Sequence, residues 1–398
     1  MYFLFILLGS LAFLKGLLSL ADSIRFRKKL SAALNDTFDN FAPPVTVIVP
    51  CKGVDSGFEE NIRSITNQNY PNFTMVFVTE SSDDPAHATL QKIVSTAQNS
   101  ETRLVTAGRS RNSAQKIHNL LEGLKHVRGD SEVLVFADSD IRVHEAWLRN
   151  LVAPLQNQQV GATTGYRWYM PLPGNFWSAV RSVWNMTSAN LLFSPRYTFA
   201  WGGSMAIRKT TFAELQITRK WRHGLSDDLI LTNAVKAAGY PIKFVPQSLA
   251  VSFEKTSLSA LLEWTTRQLT MVRLYDPGLW KLAAYPQWIF NLIFLVGLIL
   301  ISHAFLSGSA VPIAAWLMIS DLPLGAVING VRFWSFLKAL PHYRPQMRRF
   351  WWAYLSLHLV ASAVMSWALL KSLKTKRITW RGIRYEIRST EETVVLDY

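Results

Sequence analysis

The stretch Glu132-Val133-Leu134-Val135-Phe136-Ala137-Asp138-Ser139-Asp140-Ile141-Arg142-Val143 decides the fold. Its apolar, β-branched and aromatic run stops abruptly on two aspartates separated by a serine. A run of this kind suits a central parallel strand covered on both faces. In open α/β sheets, ligands bind beyond the carboxyl ends of such strands. Asp138 and Asp140 at that edge would offer hard oxygen ligands to a divalent cation, which in turn could hold a diphosphate. The same pair also suits a turn and the cap of a helix around 145–155, because Asp is favoured at both places.

Upstream, Val45–Pro50, Thr74–Thr79 and Arg103–Thr106 read as strands that alternate with helical stretches at Glu59–Gln68, Ala86–Ala97 and Ala114–His126. This alternation predicts a doubly wound parallel sheet with right-handed crossovers. The second strand runs into an acidic turn, Glu80-Ser81-Ser82-Asp83-Asp84-Pro85, which the topology sets on the same edge as Asp138. Downstream lie Val160–Gly165, an aromatic-rich stretch Tyr166–Phe193, and Trp201-Gly202-Gly203-Ser204-Met205, whose glycines permit close approaches that a side chain would block. Asp227-Asp228 opens a helix through Ala238, where carboxylates suit the positive end of the helix dipole. A pair is more than capping requires. Ile242–Pro246 reads as a further short strand.

Hydrophobic residues make up 49% of the 398 and charged residues only 17%, so a membrane component is expected. Tyr2–Ala21 is almost wholly apolar and long enough to cross a hydrocarbon core of about 20 residues. Arg25, Arg27, Lys28 and Lys29 follow it and put the next domain on the cytoplasmic side; no basic residue precedes the run, which favours an uncleaved anchor over a signal peptide. Leu258–Trp280 has the composition of a helix in the membrane interface. Pro286–Phe305, Ala310–Val331 and Phe350–Leu370 each approach spanning length, and Asp321 within the second, with Pro323 beside it, calls for a partner, a kink or a re-entrant loop. If all three span, the basic tail ends outside, against the positive-inside tendency; a re-entrant segment removes the conflict. The formal charge of +15 clusters beside the apolar segments, which favours a lipid surface over nucleic acid. The single cysteine, Cys51, excludes an intramolecular disulfide and fits a reducing compartment.

Taken together, the motifs resemble the family-2 glycosyltransferases, and within them the ceramide glucosyltransferase branch, from about Val45 to Leu370. The residues that carry the resemblance are Pro50-Cys51-Lys52-Gly53-Val54-Asp55, Asp83-Asp84-Pro85, Gln115-Lys116-Ile117-His118-Asn119, Asp138-Ser139-Asp140, Trp201-Gly202-Gly203-Ser204-Met205 and Ser226-Asp227-Asp228. The branch's later arginine-tryptophan motif is reduced here to Trp264-Thr265-Thr266-Arg267-Gln268, which keeps only the arginine.

The resemblance implies an α/β fold of the GT-A (Rossmann-like) type, with one N-terminal transmembrane helix and C-terminal transmembrane helices. The expected organisation is an anchor at 1–24, a cytoplasmic catalytic domain at 43–257, an interfacial helix region at 258–282, membrane segments at 286–371 and a basic tail at 372–398. It implies an inverting transfer of a hexose, glucose foremost, from a UDP-sugar donor to the hydroxyl of a ceramide-like membrane lipid. Asp228 would be the general base, and Asp140 with Asp138 would hold Mg2+ or Mn2+. Lys52, Glu80, Asp84, Lys116, Asp138 and Arg267 would bind the nucleotide sugar, while Gly203, Ser204, Trp264 and Gln268 would face the acceptor. The partners are thus the donor, the lipid acceptor and the bilayer, with no nucleic acid. A processive polysaccharide synthase and a non-catalytic lipid-binding membrane protein are the competing readings.

Overall fold

The computed structural model describes residues 2–37, 41–96 and 101–398. Ala97, the expected end of one helix, and 38–40, between the expected anchor and catalytic domain, lie outside them. The chain divides into two compact units. One comprises Ala33–Leu172, Leu191–Lys255 and Lys374–Tyr398; the other comprises Met1–Ala32, Pro173–Asn190 and Thr256–Leu373.

The first unit is built on strands β1 (Val45–Pro50), β2 (Phe73–Thr79), β3 (Glu101–Thr106), β4 (Val133–Ala137), β5 (Ala162–Thr164), β6 (Arg167–Tyr169), β7 (Ser204–Arg208), β8 (Ile242–Phe244), β9 (Ala250–Ser252), β10 (Arg377–Trp380), β11 (Ile383–Ser389) and β12 (Glu392–Asp397). Seven of them form one sheet in the order β3-β2-β1-β4-β7-β5-β8. β4 is buried along its whole length and lies centrally, as its unbroken apolar run demands. β1, β2, β3 and β4 are parallel, so Lys52, Glu80 and Asp138 follow strands that end on one edge.

The expectation of a wholly parallel sheet is corrected at β7, which runs antiparallel to both β4 and β5. Gly203 explains how it enters there: a Cβ on it would stand 2.1 Å from the Trp201 ring and 2.7 Å from Asp138 Oδ2, so only glycine admits the chain beside the end of β4. A small parallel pair, β6 with β9, lies against the exit of β4, where Arg142 bridges Val251 and the Ser252 hydroxyl donates to the Asp140 carbonyl at 2.8 Å.

The expected basic tail is a folded three-stranded antiparallel sheet, β10-β11-β12. Ile378, Ile383, Tyr385 and Ile387 are buried on it, and the polar residues between them take the other face.

In the second unit, the N-terminal helix runs from Tyr2 to Leu34, so the basic residues expected beyond its end lie within it. No glycine or proline follows Gly16 to stop it, and Lys and Arg are good helix formers. The expected interfacial helix covers Leu258–Tyr275. There Asp276 breaks the chain and caps the next helix by accepting from the Leu279 amide at 2.9 Å, with Pro277 at the first helical position. That helix reaches Ser307 and carries Pro286 inside it. The second late segment is broken at Ile319-Ser320 into Ile313–Met318 and Asp321–Ala339, so Asp321 opens a helix within an apolar stretch. The third is two helices, Trp351–Ser356 and His358–Ser372.

Among the described residues, three helical stretches are long and apolar enough to cross a membrane: Phe3–Leu34, Pro277–Ser307 and Ile313–Ala339. The 350–370 segment is not among them. Instead His358–Ser372 is tied along Pro277–Ser307 by a polar seam, in which Gln287 donates to the Ser362 hydroxyl and Asn291 to the Ser366 hydroxyl, both at 2.6 Å, and Trp280 to Ser372 at 3.0 Å. The spacing of four on both helices keeps the donors and acceptors on facing stripes.

Candidate active site

The helix Gln115–Leu124 carries the central cation of the site. Gln115 and Asn119 pin it to the strand ends: Gln115 Nε2 donates to Asn119 Oδ1 at 2.8 Å, and Asn119 Nδ2 donates to the Val78 carbonyl at 3.2 Å. Lys116 in the first turn thereby reaches Asp138 Oδ1 at 2.8 Å and Asp227 Oδ1 at 3.1 Å. Its buried ammonium would lose its proton easily but for these carboxylates and Asp228, which raise its pKa above the ordinary lysine value.

Arg167, on β6, closes the other side of the Asp138–Asp140 pair. Its Nη2 lies 2.7 Å from Asp138 Oδ2 and 2.7 Å from Asp140 Oδ1, and its Nη1 lies 2.9 Å from Asp140 Oδ2. The guanidinium sits 5.0 Å from the Trp201 ring centroid and 5.4 Å from that of Tyr169. Burial alone would raise the Asp140 carboxyl; Arg167, then Arg381 and Lys116, outweigh it and hold the pKa at about 2. Arg167 falls outside the sequence motifs, in a stretch whose other residues are chiefly aromatic. An arginine inside Tyr166-Arg167-Trp168-Tyr169 carries its own signal, since a charge in an apolar stretch needs a buried partner.

Asp227 and Asp228 occupy the first turn of the helix Asp227–Ala237, so the helix-dipole role and the site position coincide. Asp227 is buried, while Asp228 is partly exposed and accepts from the Ser226 hydroxyl and, at 2.7 Å, from the Leu229 amide. A Cβ on Gly202 would stand 2.3 Å from Asp227 Oδ2 and 3.0 Å from Lys116 Nζ, so the paired glycines make room for the charged cluster itself.

Glu80, at the end of β2, is buried between Lys52 and the Arg109 Nε, the latter at 3.0 Å. Asp84 is engaged differently: its Oδ1 accepts from the amides of Gly53 and Ala86, both at 2.9 Å, which caps the helix Pro85–Thr96 and fixes the loop after β1. Ser204 is fully buried, and its hydroxyl accepts from Trp147 Nε1 at 2.9 Å. Trp264, Arg267 and Gln268 lie on Leu258–Tyr275 in the second unit. The first unit thus gathers Lys52, Glu80, Lys116, Asp138, Asp140, Asp227 and Asp228 near one sheet edge.

Two residues of the C-terminal sheet also belong here. Arg381 forms a two-pronged ion pair with Asp55, at 2.6 and 2.5 Å, and stands 3.7 Å from Asp140. Tyr385 accepts the Gln115 amide at 3.1 Å and so caps the Lys116 helix, whose own N-cap residue is Ala114. Among the described residues no group of three His, Cys, Asp or Glu side chains is arranged to hold a metal ion.

A mixed sheet of this order, with its acidic cluster beyond the carboxyl ends of the parallel strands, is that of a GT-A (Rossmann-like) glycosyltransferase. The chain belongs to glycosyl transferase family 21, whose profile matches residues 8–393. The resemblance drawn from the motifs is therefore upheld, with the family numbered 21 where the motifs suggested 2. A ceramide glucosyltransferase from Gibberella zeae (strain ATCC MYA-4620 / CBS 123657 / FGSC 9075 / NRRL 31084 / PH-1) is 25% identical over 159 residues, a match that spans 37% of this chain and 30% of that protein. Among solved structures, the chain is similar to the mannosyltransferase PcManGT from Pyrobaculum calidifontis in complex with GDP-Man and Mn2+, at 18% identity and a TM-score of 0.43 over 90% of this chain and 98% of that one. It is also similar to glucosyl-3-phosphoglycerate synthase from Mycobacterium tuberculosis in complex with Mn2+ and UDP-glucose, at 15% identity and a TM-score of 0.37 over 63% and 82%.

Proposed function

We propose that this glycosyltransferase moves a hexose, glucose foremost, from a UDP-sugar to the hydroxyl of a ceramide-like membrane lipid, with inversion, at the cytoplasmic leaflet. The observation that carries this reading is the gathering of Lys116, Asp138, Asp140, Asp227 and Asp228 at one sheet edge, in a chain that also has three helices able to cross a bilayer. Asp228, the partly exposed member, takes the proton from the acceptor hydroxyl. That oxygen bonds to the anomeric carbon as the bond from carbon to the diphosphate oxygen breaks on the opposite face. Proton transfer of this kind contributes about 10²–10⁴-fold.

Glu80 and Lys52 line the edge where the uracil and ribose would lie, and Asp84 shapes that edge through Gly53. Lys116 would stabilise the diphosphate through charge-assisted hydrogen bonds. Asp138 and Asp140 are the donors suited to Mg2+ or Mn2+, which bind through one or two carboxylates and complete their shells with phosphate and water. Such an ion would supply charge neutralisation for the departing UDP. It would share the two carboxylates with Arg167, and the low pKa of Asp140 keeps that ligand anionic at any working pH.

The deciding experiment incubates the full chain in lipid micelles with a panel of radiolabelled UDP-hexoses and, in turn, ceramide, diacylglycerol, a sterol, a hopanoid and a polyprenyl phosphate. One lipid-soluble glycoside of inverted anomeric configuration is expected, absent in EDTA, in Asp140→Ala and in Asp228→Asn. A long polar product would mean a polysaccharide synthase, and full turnover by Asp228→Asn would remove the base from its role.

A further inference from the structure

We infer that Arg381, at the tip of the β10–β11 hairpin, is a donor-binding residue that leaves Asp55 and Asp140 to grip the diphosphate of the incoming nucleotide sugar. This rests on the function proposed above and adds to it a ligand from the C-terminal sheet.

The tip is the first observation. Trp380 pairs with Ile383, so Arg381 and Gly382 form a two-residue turn with φ of 52° and 82°. Both values are left-handed, as in a type I′ hairpin, where Asn-Gly is the favoured sequence. Glycine fits its place; arginine in that conformation is strained. A strained arginine that points into an acidic site is an outlier from which function can be argued.

The second observation is where the tail is fastened. Tyr385 accepts the Gln115 amide, Tyr398 donates to the Ser110 carbonyl, and the Arg109 guanidinium lies 5.1 Å from the Tyr398 ring centroid. Trp380 stands 6.0 Å from Lys116 Nζ. All of these anchors lie on or just before the first turn of the helix that carries Lys116, so the sheet holds its tip in register with that lysine.

The third is chemical. Arg377, Arg384 and Arg388 pair with the tail's own Glu386, Asp397 and Glu392, whereas Arg381 reaches across to Asp55 and Asp140. Of the two guanidiniums on Asp140, that of Arg167 is 10% exposed and bonded to both aspartates; that of Arg381 is 37% exposed and stands 3.7 Å away. Arg381 is therefore the cation that can turn to a new anion at least cost. Its planar fork matches a diphosphate as it matches Asp55.

The test is calorimetric titration of the full chain in micelles with UDP and with UMP. Arg381→Asn is the informative variant, because asparagine suits the turn and keeps the hairpin. It is expected to unfold at or above the wild-type temperature, to bind UDP at least about tenfold more weakly, and to bind UMP almost unchanged. UDP affinity equal to or tighter than wild type would overturn the inference, the latter by making the tip a plug. Equal losses for UDP and UMP would overturn it too, since the diphosphate would then not be the contact. If the wild-type chain binds no UDP, the proposed donor fails; the same comparison with GDP and GMP then tests Arg381 alone.

Discussion

Burial, reinforced by Asp228 and Asp138 against the pull of Lys116, lifts the Asp227 carboxyl to about 7 from its ordinary 3.8. Its Oδ2 is buried without a hydrogen-bond partner among the described residues, an environment that disfavours the charged form. Because the folded value lies above the unfolded one, the stability gained from the protonated form is complete below about 4 and is lost as pH rises through about 7. Melting curves between pH 5 and 8 should therefore show the wild type falling away from Asp227→Asn by a few kcal/mol. Asp140 works in the opposite sense: its contribution is present above the ordinary 3.8 and lost as pH falls through about 2. Arg167→Met strips both site aspartates of their shared partner and should cost about 3–5 kcal/mol in denaturant unfolding, partly restored by adding Asp140→Asn. These carboxylates were legible in the sequence because each abuts an apolar run. Arg167 and Arg381 were not, since the first sits among aromatics and the second in a stretch read only for its net charge.

Helix and strand types were legible wherever the apolar period was unbroken, and boundaries moved where a distant partner decided them. The helix at Gln115 is the instructive case. Its N-cap is alanine, a poor cap by any local criterion, yet the Tyr385 hydroxyl supplies the missing acceptor from 270 positions away. Tyr385→Phe should expose the Gln115 amide to faster hydrogen exchange and cost about 1–3 kcal/mol. The C-terminal sheet was missed although Ile378, Trp380, Ile383, Tyr385 and Ile387 alternate with polar residues around Arg381-Gly382. The dense basic charge of the stretch masks its period of two. The Asp276-Pro277 break was written in the chain as a cap followed by a first-turn proline.

Across the whole molecule, the number of crossings becomes an experimental quantity. Three crossings return the chain after Ser372 to the side that holds the strands, which agrees with Arg381 pairing to Asp55 in one unit. The sequence left this open because Phe350–Leu370 has the composition of a span but not the unbroken helix. Cys51 is the sole cysteine; it is buried, and its burial pushes the thiol pKa up, so the wild type is silent to maleimides. Cysteines at Lys92 and Thr390 should be labelled from one face of a sealed vesicle and a cysteine at Ser309 from the other; Thr390 labelling with Ser309 would refute the topology. The Arg381–Asp55 pair also has a meaning for biogenesis. Its partners are 326 positions apart, and every late apolar helix lies between them. Closing that loop is a late, entropically costly step. Insertion of the intervening helices thus comes before the tail can dock, so the C-terminal sheet reaches the acidic edge only after the late apolar helices are in place.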